Sequence, residues 1–181
     1  MIMKKIIAFL FVLSLCFAFV ACGNSENVNV PSGYKIASNE TSPYYVLIVP
    51  EKWTVDVQSG TTTAYYKNDL NGAVVATVSA NSIIPESEDI TLDTYFDSYK
   101  EEFNELFKDT KPDVTTTVLD GMPARRYIFT AEFNGTEYTF WQEICLYNGR
   151  VYTLTFSAPT QYYEKLSTNM IDILNLFKFA K

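Results

Sequence analysis

The sequence predicts an α+β domain whose β-sheet is largely antiparallel. The main observation is a run of four strand-like segments, at 114–119, 124–133, 136–147 and 151–157. The dipeptides between them, Asp120-Gly121, Asn134-Gly135 and Asn148-Gly149, supply the positive φ angles of two-residue type I′ turns. The second observation is a helical pattern on each side of this four-stranded meander, an order typical of α+β proteins.

Strand patterns also precede the meander. Residues 44–49 form a short apolar, β-branched run that stops at Pro50, and the strand pattern continues over 53–57. The segments 61–67 and 73–79 flank a turn rich in Asn, Asp and Gly, which predicts a hairpin.

Two helices are predicted from apolar residues at helical spacing. Thr91 is a suitable N-cap for an amphipathic helix over 92–108. Pro159 permits the start of the last helix, whose apolar residues are Tyr163, Leu166, Met170, Ile173, Leu174 and Phe177. The tail 177–179 is predicted as a short strand.

The register of the meander follows if both Asn-Gly loops have two residues. Arg126 then lies opposite Glu143, Trp141 opposite Phe156, and Cys145 opposite Tyr152.

Composition excludes several function classes. The chain has 181 residues, a length that suits one ordinary domain. Its net charge of −7 leaves no excess of Lys and Arg for phosphate contacts, so no nucleic-acid partner is expected. It has no histidine, the commonest general base and metal ligand. No metal and no cofactor are predicted.

The N-terminal segment is predicted to be an export signal. Lys4 and Lys5 precede an uncharged apolar run that ends at Ala21. The tetrapeptide Phe19-Val20-Ala21-Cys22 resembles the bacterial lipobox, which implies cleavage before Cys22 and acylation of its thiol. The chain is then lipid-anchored to a membrane on the extracytoplasmic side of the cell envelope. Ordinary signal cleavage and an uncleaved N-terminal anchor are the alternatives.

The sequence divides the chain into three parts. These are a lipoprotein signal peptide at 1–21, a flexible polar tether at 22–42, and one domain at 43–181. Cys16 lies in the signal and Cys22 is the lipid acceptor, so Cys145 alone remains in the domain. No internal disulfide is therefore expected.

Three stretches resemble the PsbP-like superfamily. They are "YYVLIVPEKW" at 44–53, "VLDGMPARRYIFTAEFNGTEYTFWQEICLYNGRVYTLTFSAP" at 118–159, and "IDILNLFKF" at 171–179. The resemblance implies an antiparallel sheet sandwiched between helices in α-β-α layers. It also implies function by binding rather than by catalysis, and it transfers no catalytic residue. The photosystem role of the founding member is not transferred.

Carboxylates are the first group of candidate site residues. Glu143 is interpreted as the ion-pair partner of Arg126, with a catalytic acid as the alternative. Glu132 and Glu137 would lie opposite each other across a two-residue loop, so a longer loop is favoured over a bound cation. Asp69, with Asn71 and Gly72, hints weakly at a Ca²⁺ loop.

Further candidates are acidic and aromatic residues. Asp97, Glu101 and Glu105 follow one helix face, either as a solvated face or as a patch for a basic partner. Tyr65 and Tyr66 are adjacent on a strand, so their rings point to opposite faces, either in packing or as a stacking platform. Cys145 is interpreted as a core residue.

The function predicted from these features is non-catalytic. We expect a lipid-anchored binding or accessory domain whose partner is an envelope protein or glycan, and whose membrane contact is the N-terminal lipid. The alternatives are a carboxylate-dependent envelope hydrolase built on Glu143, and a lipoprotein that binds a glycan or small ligand.

Overall fold

A computed structural model describes residues 28–38, 44–58, 61–87, 89–107 and 110–180 of the chain. The predicted signal segment, Cys22 and both ends of the predicted tether lie outside these ranges. Within them the strands are β1 (Tyr34–Ile36), β2 (Tyr45–Val46), β3 (Ile48–Pro50), β4 (Thr54–Gln58), β5 (Thr61–Lys67), β6 (Val74–Ile83), β7 (Asp113–Leu119), β8 (Met122–Phe133), β9 (Thr136–Tyr147), β10 (Arg150–Pro159) and β11 (Lys178–Phe179). The helices are α1 (Leu92–Leu106) and α2 (Thr160–Leu176).

A seven-stranded sheet forms the centre of the structure. Its spatial order is β4-β5-β6-β10-β9-β8-β7, and every neighbouring pair is antiparallel. The prediction of an α+β fold with a largely antiparallel sheet is confirmed. Two short ladders are also antiparallel: β1–β3 joins two N-terminal strands, and β2–β11 joins the N-terminal part of the domain to the end of the chain.

Type I′ turns set the register of β7 to β10. Both central residues of each turn have positive φ angles, for example 52° at Asn134 and 76° at Gly135. Asn and Gly tolerate this left-handed conformation better than other residues do. The three predicted cross-strand pairs, Arg126 with Glu143, Trp141 with Phe156, and Cys145 with Tyr152, are confirmed.

The prediction of a longer loop between Glu132 and Glu137 is wrong. The Asn134-Gly135 turn has two residues, and the two glutamates are direct cross-strand partners. Both side chains are exposed, so water and salt screen their repulsion. The favourable geometry of the two-residue turn therefore outweighs the repulsion between the two glutamates.

The N-terminal part of the domain differs from the prediction. The run 44–49, predicted as one strand, forms β2 and β3 because the two pieces have different partners, β11 and β1. Between them Leu47 donates its N–H to the Ser38 hydroxyl at 2.9 Å. β1 lies inside the segment predicted as a tether. Three residues are too few to show strand periodicity, and the pairing of β1 depends on a strand that follows it in the chain.

Alternate side chains of β9 belong to two different buried clusters, one on each face of the strand. Trp141 and Cys145 belong to a cluster that includes Leu166, Met170 and Ile173 of α2. Ile144 belongs to a second cluster that includes Phe96 and Phe103 of α1. Each large side chain buried in this way contributes roughly 2 kcal/mol to folding.

The helix termini agree with the predicted caps. The Thr91 hydroxyl accepts the Thr94 N–H at 3.1 Å, and the Thr94 hydroxyl accepts the Thr91 N–H at 3.0 Å. This reciprocal capping box begins α1. Pro159 precedes α2 without a side-chain cap. None of the helices in the described ranges has the length and hydrophobicity needed to cross a bilayer.

Glu143 forms a buried ion pair in the middle of the sheet. Its side chain is 1% exposed, whereas that of Arg126 is 29% exposed. One carboxylate oxygen, Oε1, accepts the Arg126 Nε–H at 2.5 Å and the Trp141 indole N–H at 2.8 Å. The Arg126 guanidinium also lies 4.3 Å from the centroid of the Trp141 ring. These contacts connect β8 and β9.

Burial raises the pKa of the Glu143 carboxyl above its usual value, despite the two donors and the positive charge of Arg126. The reason is that both donors use Oε1, while Oε2 is buried with no hydrogen-bond partner. A charge spread over both oxygens is thus only half satisfied, which penalises the ionised form.

Removal of Arg126 is expected to destabilise the fold strongly. The substitution Arg126→Met leaves Glu143 buried without its cation and should lower the free energy of unfolding by about 3 kcal/mol. The matched control is Arg125→Met, because Arg125 pairs with Asp93, which is 74% exposed. That change should cost less than about 1 kcal/mol. Urea denaturation of the two variants measures the difference, and equal losses would contradict the account.

The raised pKa of Glu143 predicts a pH dependence of stability. Since the folded protein holds this proton more tightly than the unfolded chain does, wild type loses stability as pH rises from about 4.5 through the folded pKa. Glu143→Gln removes this titration. The unfolding free energy of the Gln variant minus that of wild type should therefore increase as pH rises across this interval. Denaturation curves at pH 4 to 8 test the sign, and a shift in favour of wild type would overturn it.

Candidate functional site

A groove of about 810 Å³ is the candidate functional site. It opens between the first half of α2, the turn that connects β3 to β4, and the hairpin of β5 and β6. Its lining residues are Gly33, Pro50, Glu51, Lys52, Trp53, Tyr66, Asn68, Asp69, Leu70, Val75, Tyr162, Lys165, Leu166 and Asn169.

The floor of the groove is apolar and aromatic. Trp53 and Tyr66 are stacked, with ring centroids 6.3 Å apart and planes at 28°. Val75 from β6 and Leu166 from α2 are buried beside them. Aromatic pairs of this kind add stability beyond their buried area, so the floor is preformed rather than assembled on binding.

Local backbone bonds place Trp53 in the floor. The Pro50 carbonyl accepts the Trp53 N–H at 3.0 Å, which turns the chain between β3 and β4. In the same turn Glu51 donates its N–H to the Gly33 carbonyl at 2.8 Å. The Tyr34 hydroxyl donates to Asp172 at 2.7 Å and so connects this side of the groove to α2.

The rim of the groove carries both signs of charge. Glu51 and Asp69 are acidic, Lys52 and Lys165 are basic, and all four side chains are exposed. A rim with two charges of each sign does not select a strongly anionic or cationic ligand. An apolar floor with a small number of polar groups at its edge is typical of binding pockets.

Leu70 is an exposed apolar residue at the tip of the β5–β6 hairpin. It is 95% exposed. The turn that presents it is ordered by its own side chains: Asn68 Oδ1 accepts the Leu70 N–H at 2.9 Å, and Asn71 Oδ1 accepts the Ala73 N–H at 3.0 Å. These two side-chain oxygens order the turn by accepting backbone N–H groups, so the turn does not require the Ca²⁺ ion that the sequence hinted at. In the described ranges no cluster of three or more His, Cys, Asp or Glu side chains could hold a metal.

The structure separates the two predicted site tyrosines. Tyr66 lines the groove. Tyr65 lies opposite Thr77 on β6, and Lys67 Nζ is 5.2 Å from its ring centroid. Since neighbouring side chains on a strand point to opposite faces, only one ring of the pair faces the groove.

The predicted acidic residues do not line the groove. Asp97, Glu101 and Glu105 are exposed on α1, and Glu132 and Glu137 are exposed beside the β8–β9 turn. These five residues remain candidates for contacts elsewhere on the surface.

Cys145 lies in the sheet interior. Its thiol donates to the Pro123 carbonyl at 3.4 Å, and burial raises its pKa to about 12. A thiol with this pKa stays protonated at neutral pH and is a poor nucleophile.

Several groove residues were not predicted as site residues from the sequence. They are Trp53, Leu70, Tyr162 and Lys165. Two local signals were present. Leu70 is an apolar residue in a turn of Asn, Asp and Gly, and Tyr162 belongs to an adjacent tyrosine pair. What brings these residues together is the packing of α2 against β3 and β6, which no local pattern encodes.

Comparison with known proteins identifies the fold. The sequence matches no protein-family model and no curated protein. Its structure is similar to that of cyanobacterial PsbP (CyanoP) from Synechocystis sp. PCC 6803, with a TM-score of 0.58 and 10% identity over 82% of this chain and 94% of that chain.

Two further solved structures are similar. One, from Bacteroides thetaiotaomicron VPI-5482, has a TM-score of 0.58 and 9% identity over 82% of this chain. This chain spans about half the length of that protein, since the match covers 48% of it. The other is a protein of unknown function, PA94, from Pseudomonas aeruginosa, with a TM-score of 0.51 and 13% identity over 77% of this chain and 92% of that chain. At these identities the likeness concerns the fold, and the fold of this chain is PsbP-like, as its sequence motifs implied.

Proposed function

We propose that this chain is a non-catalytic binding domain that holds an envelope protein or another envelope component in its groove. The observation that carries the proposal is the half-buried Tyr66 ring, held in the groove floor by stacking on the buried Trp53, beneath a rim of mixed charge. Aromatic residues in a partly desolvated depression are the residues that dominate binding energy at protein interfaces. Leu70 adds an apolar contact at the rim.

The buried chemistry of the sheet supports a role in binding rather than catalysis. Oε1 of Glu143 is occupied by Arg126 and Trp141, and the carboxyl lies in the sheet rather than in the groove. The thiol of Cys145 has a raised pKa of about 12. Both residues therefore serve the fold, and recognition belongs to the groove.

The proposal includes the location of the domain. A lipid on Cys22 would hold the chain at the extracytoplasmic side of a membrane, with the polar segment after it as the connection. We also propose the α-β-α layering of the PsbP-like resemblance. Its support is the alternation along β9, where Trp141 packs with residues of α2 and Ile144 with residues of α1.

A glycan is the second candidate ligand. Tyr162 is 36% exposed at the rim and Tyr66 is half-buried below it. Exposed aromatic faces beside hydrogen-bonding groups can accept sugar rings. The mixed charge and the protruding Leu70 favour a protein, and crosslinking from the groove distinguishes the two.

Site-specific crosslinking tests the groove as the binding site. A photoreactive amino acid is placed at Leu70 or at Tyr162 in the full chain in cells, with Glu101 on α1 as the matched exposed control. We expect the same protein to be captured from both groove positions and not from position 101. Capture of the same species equally from all three positions would contradict the proposal, and capture of glycan alone would favour the second candidate.

A substitution provides the quantitative part of this test. Leu70→Asp is expected to weaken binding of the captured partner by about tenfold, a loss of about 1.4 kcal/mol, because a charge replaces an apolar contact at the rim. The hairpin should keep its fold, because Leu70 is 95% exposed. Unchanged affinity in a folded variant would exclude Leu70 from the interface.

Lipid attachment is tested separately. Cells grown with a labelled fatty acid should incorporate the label into wild type and not into Cys22→Ser. Cys145→Ser is the control, because its thiol is buried in the sheet. Label on the Cys22→Ser variant would contradict acylation at this position.

A further inference from the structure

β7 is an edge of the seven-stranded sheet with little protection against pairing. Its outer side has no partner strand among the described residues. Residues 113–116 and Val118 are exposed, with Val114 at 41% and Val118 at 65%. The strand contains no Pro and no Lys or Arg, and its one charge is Asp113 at the start. Edge strands of soluble proteins usually carry Pro, Lys or other charged residues, which prevent association with another strand.

The sequence of β7 is symmetric about Thr116. From Val114 to Val118 the strand reads Val-Thr-Thr-Thr-Val, the same sequence in either direction. If two copies of β7 pair antiparallel about Thr116, Val114 of each copy lies opposite Val118 of the other, and Thr115 lies opposite Thr117. A two-fold interface requires this kind of self-complementary patch. The only charged residue, Asp113, lies opposite Leu119, so no like charges meet.

The hydrogen-bonding pattern of β7 agrees with the same register. The β7–β8 hairpin closes at the pair Leu119 and Met122 around the turn Asp120-Gly121. In a two-residue hairpin the closing pair is hydrogen-bonded, and hydrogen-bonded pairs then alternate along the ladder. The N–H and C=O groups of Val114, Thr116 and Val118 therefore point away from β8. Pairing about Thr116 joins these outward groups in three pairs with two bonds each, about six hydrogen bonds in total.

The opposite edge of the sheet lacks this symmetry. β4 is five residues long, and its central residue is Asp56. Antiparallel pairing of two β4 strands about their centre would place Asp56 against Asp56, which is unfavourable. Of the two edges of this sheet, β7 is thus the self-complementary one.

We propose that two copies of this chain form a two-fold dimer by antiparallel pairing of β7 with β7 about Thr116. The occupant of the edge is a second copy of the chain, for two reasons. The sequence of β7 from Val114 to Val118 reads the same in both directions about Thr116, and its outward N–H and C=O groups pair with those of a second, antiparallel β7. The two seven-stranded sheets then form one continuous sheet.

Engineered cysteines test the register in the full chain. In a hydrogen-bonded antiparallel pair the two Cα atoms are about 5.5 Å apart, which is within the range of disulfides. Thr116→Cys should therefore give a disulfide-linked dimer on a non-reducing gel. Val114→Cys is the control, since two copies of this position would be roughly 13 Å apart in this register. A folded Thr116→Cys chain that stays monomeric, equal linkage through position 114, or linkage to a different protein would each overturn the proposal.

Proline tests the hydrogen bonds without a new thiol. The N–H of Thr116 points outward, so Thr116→Pro leaves the β7–β8 ladder intact and should raise the dimer dissociation constant by about a hundredfold. Asp56→Asn on β4 should leave it unchanged. Sedimentation equilibrium of the detergent-solubilised full chain measures both values. An unchanged dissociation constant in Thr116→Pro would overturn the proposal, and circular dichroism verifies that the variant is folded.

Discussion

The left-handed backbone angles at the three turns of the meander hold the register on which the rest of the structure depends. A slip of one residue would move every side chain of a strand to the other face of the sheet. In the observed register Glu143 meets Arg126, Trp141 joins the cluster of α2, and Ile144 joins that of α1. The buried ion pair then penalises other registers, because any slip would leave the carboxylate of Glu143 without its cation.

This dependence explains which features could be predicted from the sequence. Asn-Gly and Asp-Gly dipeptides encode turn geometry locally, so the strand order within the meander and the pair of Arg126 with Glu143 followed from the residues. The close approach of Glu132 and Glu137 was misjudged, because solvent screening of exposed charges outweighs a simple rule on like pairs. β1 was not predicted, because three residues are too few to show the apolar–polar alternation of a strand. The groove escaped because its walls come from segments more than a hundred residues apart, such as Pro50 and Lys165, which only tertiary packing brings together.

The groove and the β7 edge lie in different parts of the fold. The groove is bounded by the hairpin of β5 and β6 and by α2, next to one edge of the seven-stranded order, whereas β7 is the other edge. Association through β7 would therefore leave the groove of each copy open. A two-fold assembly would present two grooves and would hold its partner by two contacts, which increases avidity when both can be occupied together. In the proposed function the PsbP-like fold is the scaffold, and the exposed side chains of the groove would determine what is bound.

The central claim is that recognition takes place in the groove. Hydrogen–deuterium exchange on the full chain, with and without the partner captured by crosslinking, tests it most directly. We predict slower exchange in the turn at residues 50–53, in the hairpin at 66–75 and in the first half of α2, with no change along the exposed face of α1. Protection confined to α1 or to the β8–β9 turn, with the groove segments unchanged, would contradict it.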